Sequence, residues 1–158
     1  MLKKIAMLVQ AQGHCVLATC DCDGEGAAPH TSLMSCCASD DCGEFWLATR
    51  TDTRKFRNLS ANPRASLLVD DRAGGERAGQ PGLALTVAAR LESFATAADQ
   101  DAARLALLAR HPGLESFLAQ EQTQVLRLVA VSFQLLTGLS EVFFVEAEKV
   151  LDARTRKA

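Results

Sequence analysis

The segment "TDTRKFRNLSANPRASLLV" combines cationic and hydroxyl side chains with the signals of a helix start. Asp52 or Thr53 is a suitable N-cap for a short helix, and Asn62-Pro63 would end it. Arg54 and Lys55 then lie in the first turn, where free backbone N–H groups and the helix dipole favour an anion. Together with the Thr53 hydroxyl, a guanidinium and an ammonium can bind phosphate. The spacing therefore favours a phosphate site, although the same triplet also suits a solvated surface helix.

The six cysteines are all found between Cys15 and Cys42, and such a cluster raises the question of a metal or redox site. Zinc requires four ligands that converge at about 2.3 Å from one ion. A strand rises about 3.3 Å per residue, so Cys15 and Cys20 in one strand would be about 16 Å apart. If the hairpin turns near Asp23-Gly24, two thiols lie at its tip and four towards its other end. The sequence therefore predicts no metal site.

Two alternatives for individual thiols remain open. Cys36 and Cys37 are adjacent in a predicted strand, so their side chains point to opposite faces. Cys36 could pair with Cys15 across the hairpin, and Cys22 or Cys42 could be a reactive thiol. Buried thiols are nevertheless ordinary core residues, so packing is the prediction for most of them.

Apolar spacing and turn residues predict the elements that position these side chains. Helices are predicted at residues 1–12, 53–61, 97–111 and 113–122, and strands at 14–21, 29–38, 44–49, 64–71, 83–95, 124–138 and 140–146. Strand 83–95 shows the cleanest alternation, with apolar residues at every second position from Leu83 to Leu91. Many short strands with few helices favour a mainly β (α+β) fold, an antiparallel barrel with peripheral helices. We expect one domain over residues 1–158, with a polar tail at 149–158.

Composition narrows the class of protein. The chain has 158 residues, 48% of them hydrophobic and 23% charged, which is typical of a globular protein. Its net charge of −2 gives no basis for nucleic-acid binding. No apolar stretch approaches the roughly 20 residues of a membrane span, and the N-terminus does not have the pattern of a signal peptide. We therefore expect a cytoplasmic protein with no membrane or nucleic-acid partner, whose cysteines are thiols.

Two runs of sequence carry a family resemblance. "LATCDCDGEGAAPHTSLM" and then "FWLATRTDTRKFRNLSANPRASLLV" resemble the FMN-binding split barrel of the pyridoxamine 5′-phosphate oxidase superfamily. Its members show a strand-turn-strand of the type LAT-x-D-x-x-G-x-P and a segment of the type [ST]-R-K-x-x-N-[LI]-x-x-NPR-x-SLL. The spacing agrees from about Gly13 to Val69. The resemblance implies an antiparallel split barrel of six to seven strands.

The resemblance also implies a set of cofactor-binding residues and a partner. Thr53, Arg54 and Lys55 would hold the FMN phosphate, and Ala48 and Thr49 would line the phosphate and ribityl side. The residues expected beside the flavin ring follow one another on the second strand: His30, Thr31, Ser32, Leu33 and Met34. In such proteins the flavin lies between two subunits, so a homodimer is implied.

The sequence departs from true pyridoxamine phosphate oxidases at two places. Thr31-Ser32 stand where those enzymes have an arginine beside the flavin, and the C-terminus lacks their arginine- and histidine-bearing substrate segment. We therefore expect an FMN-dependent oxidoreductase that passes electrons or hydride between a nicotinamide donor and a small acceptor, rather than vitamin B6 oxidation. A non-enzymatic carrier or sensor of flavin or haem, a deazaflavin-binding relative, and a thiol- or metal-responsive hairpin are the alternatives. No residue pattern identifies a catalytic acid or base.

Overall fold

Antiparallel strands form the body of the protein in the computed structural model, which describes residues 1–21, 27–71, 82–138 and 140–149. The strands are β1 (His14–Asp21), β2 (Ala28–Ala38), β3 (Glu44–Arg50), β4 (Arg64–Asp70), β5 (Leu83–Glu92), β6 (Thr123–Thr137) and β7 (Glu141–Glu146). The helices are α1 (Leu2–Ala11), α2 (Arg54–Ala61), α3 (Ala97–Arg110) and α4 (Glu115–Leu118), with a 3-10 turn at Pro112–Leu114 before α4. The predicted turn at Asp23-Gly24, Cys22 and the tail beyond Lys149 lie outside the described residues.

Six strands close into a barrel. The strand order is β3-β2-β1-β4-β5-β6, and β3 pairs in addition with β6, which joins the two ends of the sheet. The long strand β6 makes this possible because its first half pairs with β3 and its second half with β7, on the same side. Closure leaves the barrel strands without open edges. The predicted antiparallel barrel of six to seven strands is confirmed, with β7 as the additional strand.

Alternating side chains fill the barrel interior. Leu85, Val87 and Ala89 on β5 are buried, as the alternation of that strand predicts. The largest fully buried side chains from the neighbouring strands are Leu17, Phe45, Leu47, Leu67, Leu128, Phe133 and Leu135. Helix α1 packs Ile5, Leu8 and Val9 against the same core. Among the described helices, each is too short or too polar to cross a membrane.

A second, smaller apolar cluster lies on the outside of the barrel. Its buried members are Ala48 of β3, Leu107 of α3 and Leu118 of α4. Trp46, Val125, Leu114 and Phe117 are among the partly buried residues packed around them. Helices α3 and α4 therefore cover the outer face of β3 and of the strands beside it. On β2 this cover reaches Cys37, whereas Leu33 on the same outer face is 75% exposed.

The cysteines separate as predicted from the hairpin geometry. Cys20 lies opposite Pro29 near the hairpin tip, whereas Cys15 lies opposite Met34 towards the other end. Cys36 belongs to the inner core and Cys37 to the outer cluster, so the two adjacent thiols do face opposite sides. Among the described residues, no group of three or more histidine, cysteine, aspartate or glutamate side chains has the arrangement of a metal site.

The structure corrects one of the two thiol alternatives. Cys42 is only 1% exposed, so it is a core residue and not the accessible reactive thiol considered from the sequence. Cys15 and Cys36 are both buried inside the barrel, and a hydrogen bond between their side chains raises the pKa of Cys15. None of the five described cysteines takes part in a disulfide. Packing is therefore the role that the structure gives to Cys15, Cys36 and Cys42.

Candidate cofactor site

Helix α2 begins at a well-defined N-cap beside the end of β3. Of the two N-cap candidates, Thr53 is the cap, because its hydroxyl oxygen accepts a hydrogen bond of 3.4 Å from the Phe56 N–H. The same hydroxyl donates to the Arg50 carbonyl oxygen at 2.8 Å and lies 3.1 Å from the Thr49 hydroxyl. These bonds join the end of β3 to the start of α2. The N–H groups of Arg54 and Lys55 precede the hydrogen-bond ladder of the helix and are available to an anion.

A cavity of about 310 Å³ opens at this junction. It is lined by Leu33, Met34 and Ser35 of β2, Ala48, Thr49 and Arg50 of β3, Thr53 and Lys55 at the start of α2, and Leu114 and Phe117 next to α4. Six of the ten residues predicted from the sequence line it: Leu33, Met34, Ala48, Thr49, Thr53 and Lys55. The cavity has hydroxyl and cationic groups at the α2 end and apolar groups at the other.

The apolar end is built on the outer face of β2. The Leu33 side chain is 75% exposed and points away from the core. Met34 belongs to the inner core, so it presents its main chain, and not its thioether, to the cavity. Phe117 packs against the outer cluster and forms the opposite side. A flat apolar group can therefore lie along the β2 main chain with an aromatic ring facing it.

Four predicted residues do not line the cavity. His30, Thr31 and Ser32 lie further along β2, where the His30 Nε2 and the Ser32 hydroxyl form a hydrogen bond of 3.3 Å. Arg54 turns towards the end of β1, and its Nη2 lies 3.7 Å from a carboxylate oxygen of Asp21. The structure thus brings together the middle of β2, the end of β3 and the start of α2, but it leaves the first half of β2 outside.

Sequence reasoning missed Ser35, Arg50, Leu114 and Phe117 in the cavity lining. Leu114 and Phe117 follow each other by three residues in "PGLESFL", which indicates one apolar side of a short helical segment. Nothing in that spacing shows that the segment packs beside β3, more than sixty residues earlier in the chain. Arg50 ends a strand, a position that many solvated arginines occupy.

Asn58 links α2 to strand β1 of the barrel through a side-chain hydrogen bond. It is only 5% exposed, and its Nδ2 donates a hydrogen bond of 3.1 Å to the hydroxyl of Thr19 on β1. Asn58→Ala removes the donor and leaves the buried Thr19 hydroxyl with one bond fewer, so we expect a loss of about 1 to 3 kcal/mol in the free energy of unfolding. Urea denaturation measures it. The exposed Ser60 on the same helix is the control, because Ser60→Ala should change stability by less than about 0.5 kcal/mol. Equal effects of the two variants would contradict the role of Asn58.

A larger cavity, of about 550 Å³, lies between the end of β5, the start of α3 and the first half of β6. Its central cation is Arg127, whose guanidinium bonds Glu44 at 2.6 Å and Glu92 at 3.4 Å. The Arg127 hydrogen bond also lowers the pKa of Glu44, so the pair is ionised at neutral pH. Since two carboxylates already neutralise this arginine, the described residues of this cavity offer no excess positive charge for an anion. The smaller cavity at α2 is the better candidate for a phosphate-bearing cofactor.

The closed six-stranded barrel, with the additional strand β7 and the peripheral helices, is a split barrel. The pattern of the pyridoxamine 5′-phosphate oxidase family matches residues 1–133. The chain therefore belongs to this family, as the resemblance of the two motifs predicts. No curated protein sequence matches the chain.

Solved structures support the fold. A haem-binding protein from Mycobacterium smegmatis has a TM-score of 0.79 at 19% identity, over 97% of this chain and 60% of its own. A protein of the pyridoxinephosphate oxidase family from Clostridium acetobutylicum, related to general stress protein 26, has a TM-score of 0.70 at 19% identity, over 94% of this chain and 96% of its own. An FAD-binding protein from Mesorhizobium loti has a TM-score of 0.66 at 17% identity, over 85% of this chain and 91% of its own. Three of the similar proteins are longer, since the chain spans 55 to 60% of their length.

Proposed function

We propose that the chain is a flavoprotein that binds FMN non-covalently in the cavity between β2, β3, α2 and α4. The observation that carries the proposal is the division of this cavity into an apolar end and an end with hydroxyl and cationic groups. FMN has the same division, because a flat ring system is joined to a phosphate. Membership of the pyridoxamine 5′-phosphate oxidase family and the FAD-binding protein from Mesorhizobium loti support a flavin on this scaffold.

Thr53, Arg54 and Lys55 are the proposed phosphate ligands. Lys55 lines the cavity, and it forms no ion pair with any other residue in the described ranges. Arg54 is paired with Asp21 at 3.7 Å, and both side chains are substantially exposed. Such exposed pairs contribute only about 0 to 1 kcal/mol, so a phosphate can compete for this guanidinium. The first amides of α2 add hydrogen-bond donors at the same point.

The proposed ring site extends along β2. The main chain at Leu33 and Met34 faces the cavity, and His30, Thr31 and Ser32 continue the same strand towards the hairpin. The ribityl chain and the phosphate would lie beside Ala48 and Thr49. When bound, the flavin supplies the redox chemistry, while these residues bind and orient it.

Phe117 tests the ring site. Phe117→Ala removes an aromatic contact worth about 1 kcal/mol or more, so we expect the Kd values of FMN and of riboflavin to rise together by about fivefold or more. Fluorescence titration of each flavin measures the two values. Phe94 lies in the other cavity and is the control, because Phe94→Ala should leave both affinities within about twofold. A loss confined to FMN would contradict the placement of Phe117 beside the ring.

A flavin or haem carrier without enzymatic activity is the second candidate. The haem-binding protein from Mycobacterium smegmatis favours it, because that protein has the same fold. Haem iron needs an axial ligand such as histidine, cysteine or methionine. The described lining of the cavity contains no histidine or cysteine, and Met34 points into the barrel core. The residues present fit a flavin better than haem, and a deazaflavin shares the flat ring that this site would accept.

We also propose a homodimer whose interface covers the open side of the cavity. The open sheet face is the outer surface formed by Val16, Leu33, Leu68, Val142 and Phe144. Leu33 lies opposite Val16, which in turn lies opposite Leu68, so these side chains form one row across β2, β1 and β4. At the far end of the sheet, Val142 and Phe144 are 60% and 59% exposed. The polar residues Thr86 and Gln134 separate the row from Phe144, so the row of Leu33, Val16 and Leu68 beside the cavity is the proposed contact. Exposed apolar side chains that lie together are typical of an interaction site, and a symmetric dimer uses the same surface twice.

The proposed reaction is a transfer of electrons or hydride from a nicotinamide nucleotide to a small acceptor through the bound flavin, in the cytoplasm. Among the described lining residues, the apolar end of the cavity has no acid or base side chain, which suits a reaction in which the cofactor carries the chemistry. Steady oxidation of NADH or NADPH by the FMN-loaded protein, in the presence of an acceptor dye, separates an enzyme from a carrier. An FMN-loaded protein that stays oxidised with both nucleotides is a carrier.

Titration of the protein with FMN tests the binding proposal. We expect saturable quenching of flavin fluorescence with one FMN per chain. FMN that stays fluorescent and dialyses away from the protein would reject it.

A further inference from the structure

We propose that Arg50 is a further cofactor-binding residue, which brings a guanidinium from the end of β3 to the phosphate end of the cavity. The inference rests on the proposed FMN function. Arg50 lines the cavity together with Thr53 and Lys55. No motif of the sequence assigns it this role, because the phosphate signal is carried by the residues that follow the N-cap.

The hydrogen bonds of Arg50 use one side of its guanidinium and leave the other. Its Nε donates to Asp52 Oδ1 at 3.0 Å, and its Nη2 donates to Asp52 Oδ2 at 2.7 Å. The second Nη2 proton is directed to Gln122 Oε1 at 3.1 Å. A guanidinium has five N–H donors, so both N–H groups of Nη1 are left for a ligand. An arginine held in this way can offer a pair of donors to phosphate oxygens.

The backbone around Arg50 is also fixed before any ligand binds. Thr53 donates its hydroxyl proton to the Arg50 carbonyl oxygen at 2.8 Å, and the Thr51 N–H donates to the Gln122 carbonyl oxygen at 2.9 Å. A side chain that is already ordered loses less conformational entropy on binding. Because Asp52 offsets part of the charge, Arg50 should contribute less than Lys55. Two hydrogen bonds to Asp52 hold the Arg50 guanidinium in place.

Affinity for two flavins separates this role from a structural one. Arg50→Gln should raise the Kd of FMN about five- to tenfold and leave the Kd of riboflavin, which has no phosphate, within about twofold. Arg50→Lys should give a smaller loss for FMN, because lysine keeps the positive charge but lacks the paired N–H donors of the guanidinium. Arg57 is the matched control: it bonds the Asp52 carbonyl oxygen at 2.9 Å and does not line the cavity. Arg57→Gln should leave both flavins within about twofold.

The outcomes distinguish this inference from the proposed function. If the unaltered protein binds no FMN, the proposed function fails and the role of Arg50 fails with it. If the unaltered protein binds FMN and Arg50→Gln binds it equally well, only the role of Arg50 is overturned. Equal losses for FMN and riboflavin in Arg50→Gln would likewise overturn it, because the side chain would then act on the fold or the ring.

Discussion

Lys55→Ala is expected to weaken FMN binding by about 10- to 100-fold and to leave riboflavin binding within about twofold. A hydrogen bond to a charged group contributes about 1.5 to 3 kcal/mol, and each 1.4 kcal/mol corresponds to a factor of ten in Kd. Lys55 lines the polar end of the cavity and belongs to the first turn of α2. The phosphate is the only part of FMN that riboflavin lacks, so the difference between the two flavins isolates this end of the site.

Fluorescence titration of both flavins measures the effect of Lys55→Ala. Lys4, on the exposed side of α1, is the control for the loss of one positive charge, and Lys4→Ala should bind both flavins normally. The affinity of FMN for Lys55→Ala should also depend less on salt than that of the unaltered protein, since exposed charges are screened. Equal losses for the two flavins would contradict the placement of the phosphate at the start of α2.

Leu33→Asp is expected to convert the proposed dimer into a monomer. Leu33 is 75% exposed in the described chain and lies in the row of apolar side chains across β2, β1 and β4. A carboxylate at the centre of an apolar interface would be buried without a partner, and central interface residues contribute about 2 kcal/mol or more. Because the proposed interface is symmetric, each dimer carries the change twice, so the dimer Kd should rise by about 1000-fold.

Light scattering over a range of concentrations measures the oligomeric state. Leu105, on α3, is 65% exposed and lies away from the open sheet face, so Leu105→Asp is the matched control and should leave the dimer intact. In Leu33→Asp, the affinity for FMN should be lost together with dimerisation, because Leu33 lines the cavity as well as the open face. A Leu33→Asp protein that remains dimeric would place the interface elsewhere, and an unaltered protein that is monomeric at all concentrations would reject the dimer.

Local signals predict much of the fold. The alternation of Leu83, Leu85 and Val87 gives the inner face of β5, and these residues do pack into the core. The spacing of Thr96 and Asp99 predicts the capping box of α3, which forms with both of its hydrogen bonds. Such features depend on neighbours within a few residues, so the sequence alone carries them.

Closure of the barrel depends on contacts between distant parts of the chain. The pairing of β3 with β6 joins residues about 80 positions apart, and β6 changes partner from β3 to β7 along its length. Neither follows from periodicity, because a strand can pair with any other strand of suitable pattern. The position of Phe117 over the end of β3 has the same origin, since it follows from how α3 and α4 pack on the barrel.

In the candidate site, too, some residues are predicted by local sequence and others are placed only by the fold. Thr53 and Lys55 are found by helix-start signals, which are local. The difference between Arg50 and Arg54 depends instead on which carboxylate each guanidinium meets: Asp52 holds Arg50 at the cavity, and Asp21 draws Arg54 towards β1. The Arg54 partner is set by the folded arrangement of β1 and α2, so charge and spacing along the chain do not show that Arg54 turns away from the cavity.

The absorption spectrum of the purified protein, recorded as isolated and after addition of FMN and gel filtration, tests the central claim most directly. An FMN-binding protein should retain absorption bands at about 375 and 450 nm, which are typical of oxidised flavin. The released cofactor should be FMN and should amount to one per chain. A Soret band in the isolated protein, or a protein that emerges colourless after incubation with FMN, would contradict the account.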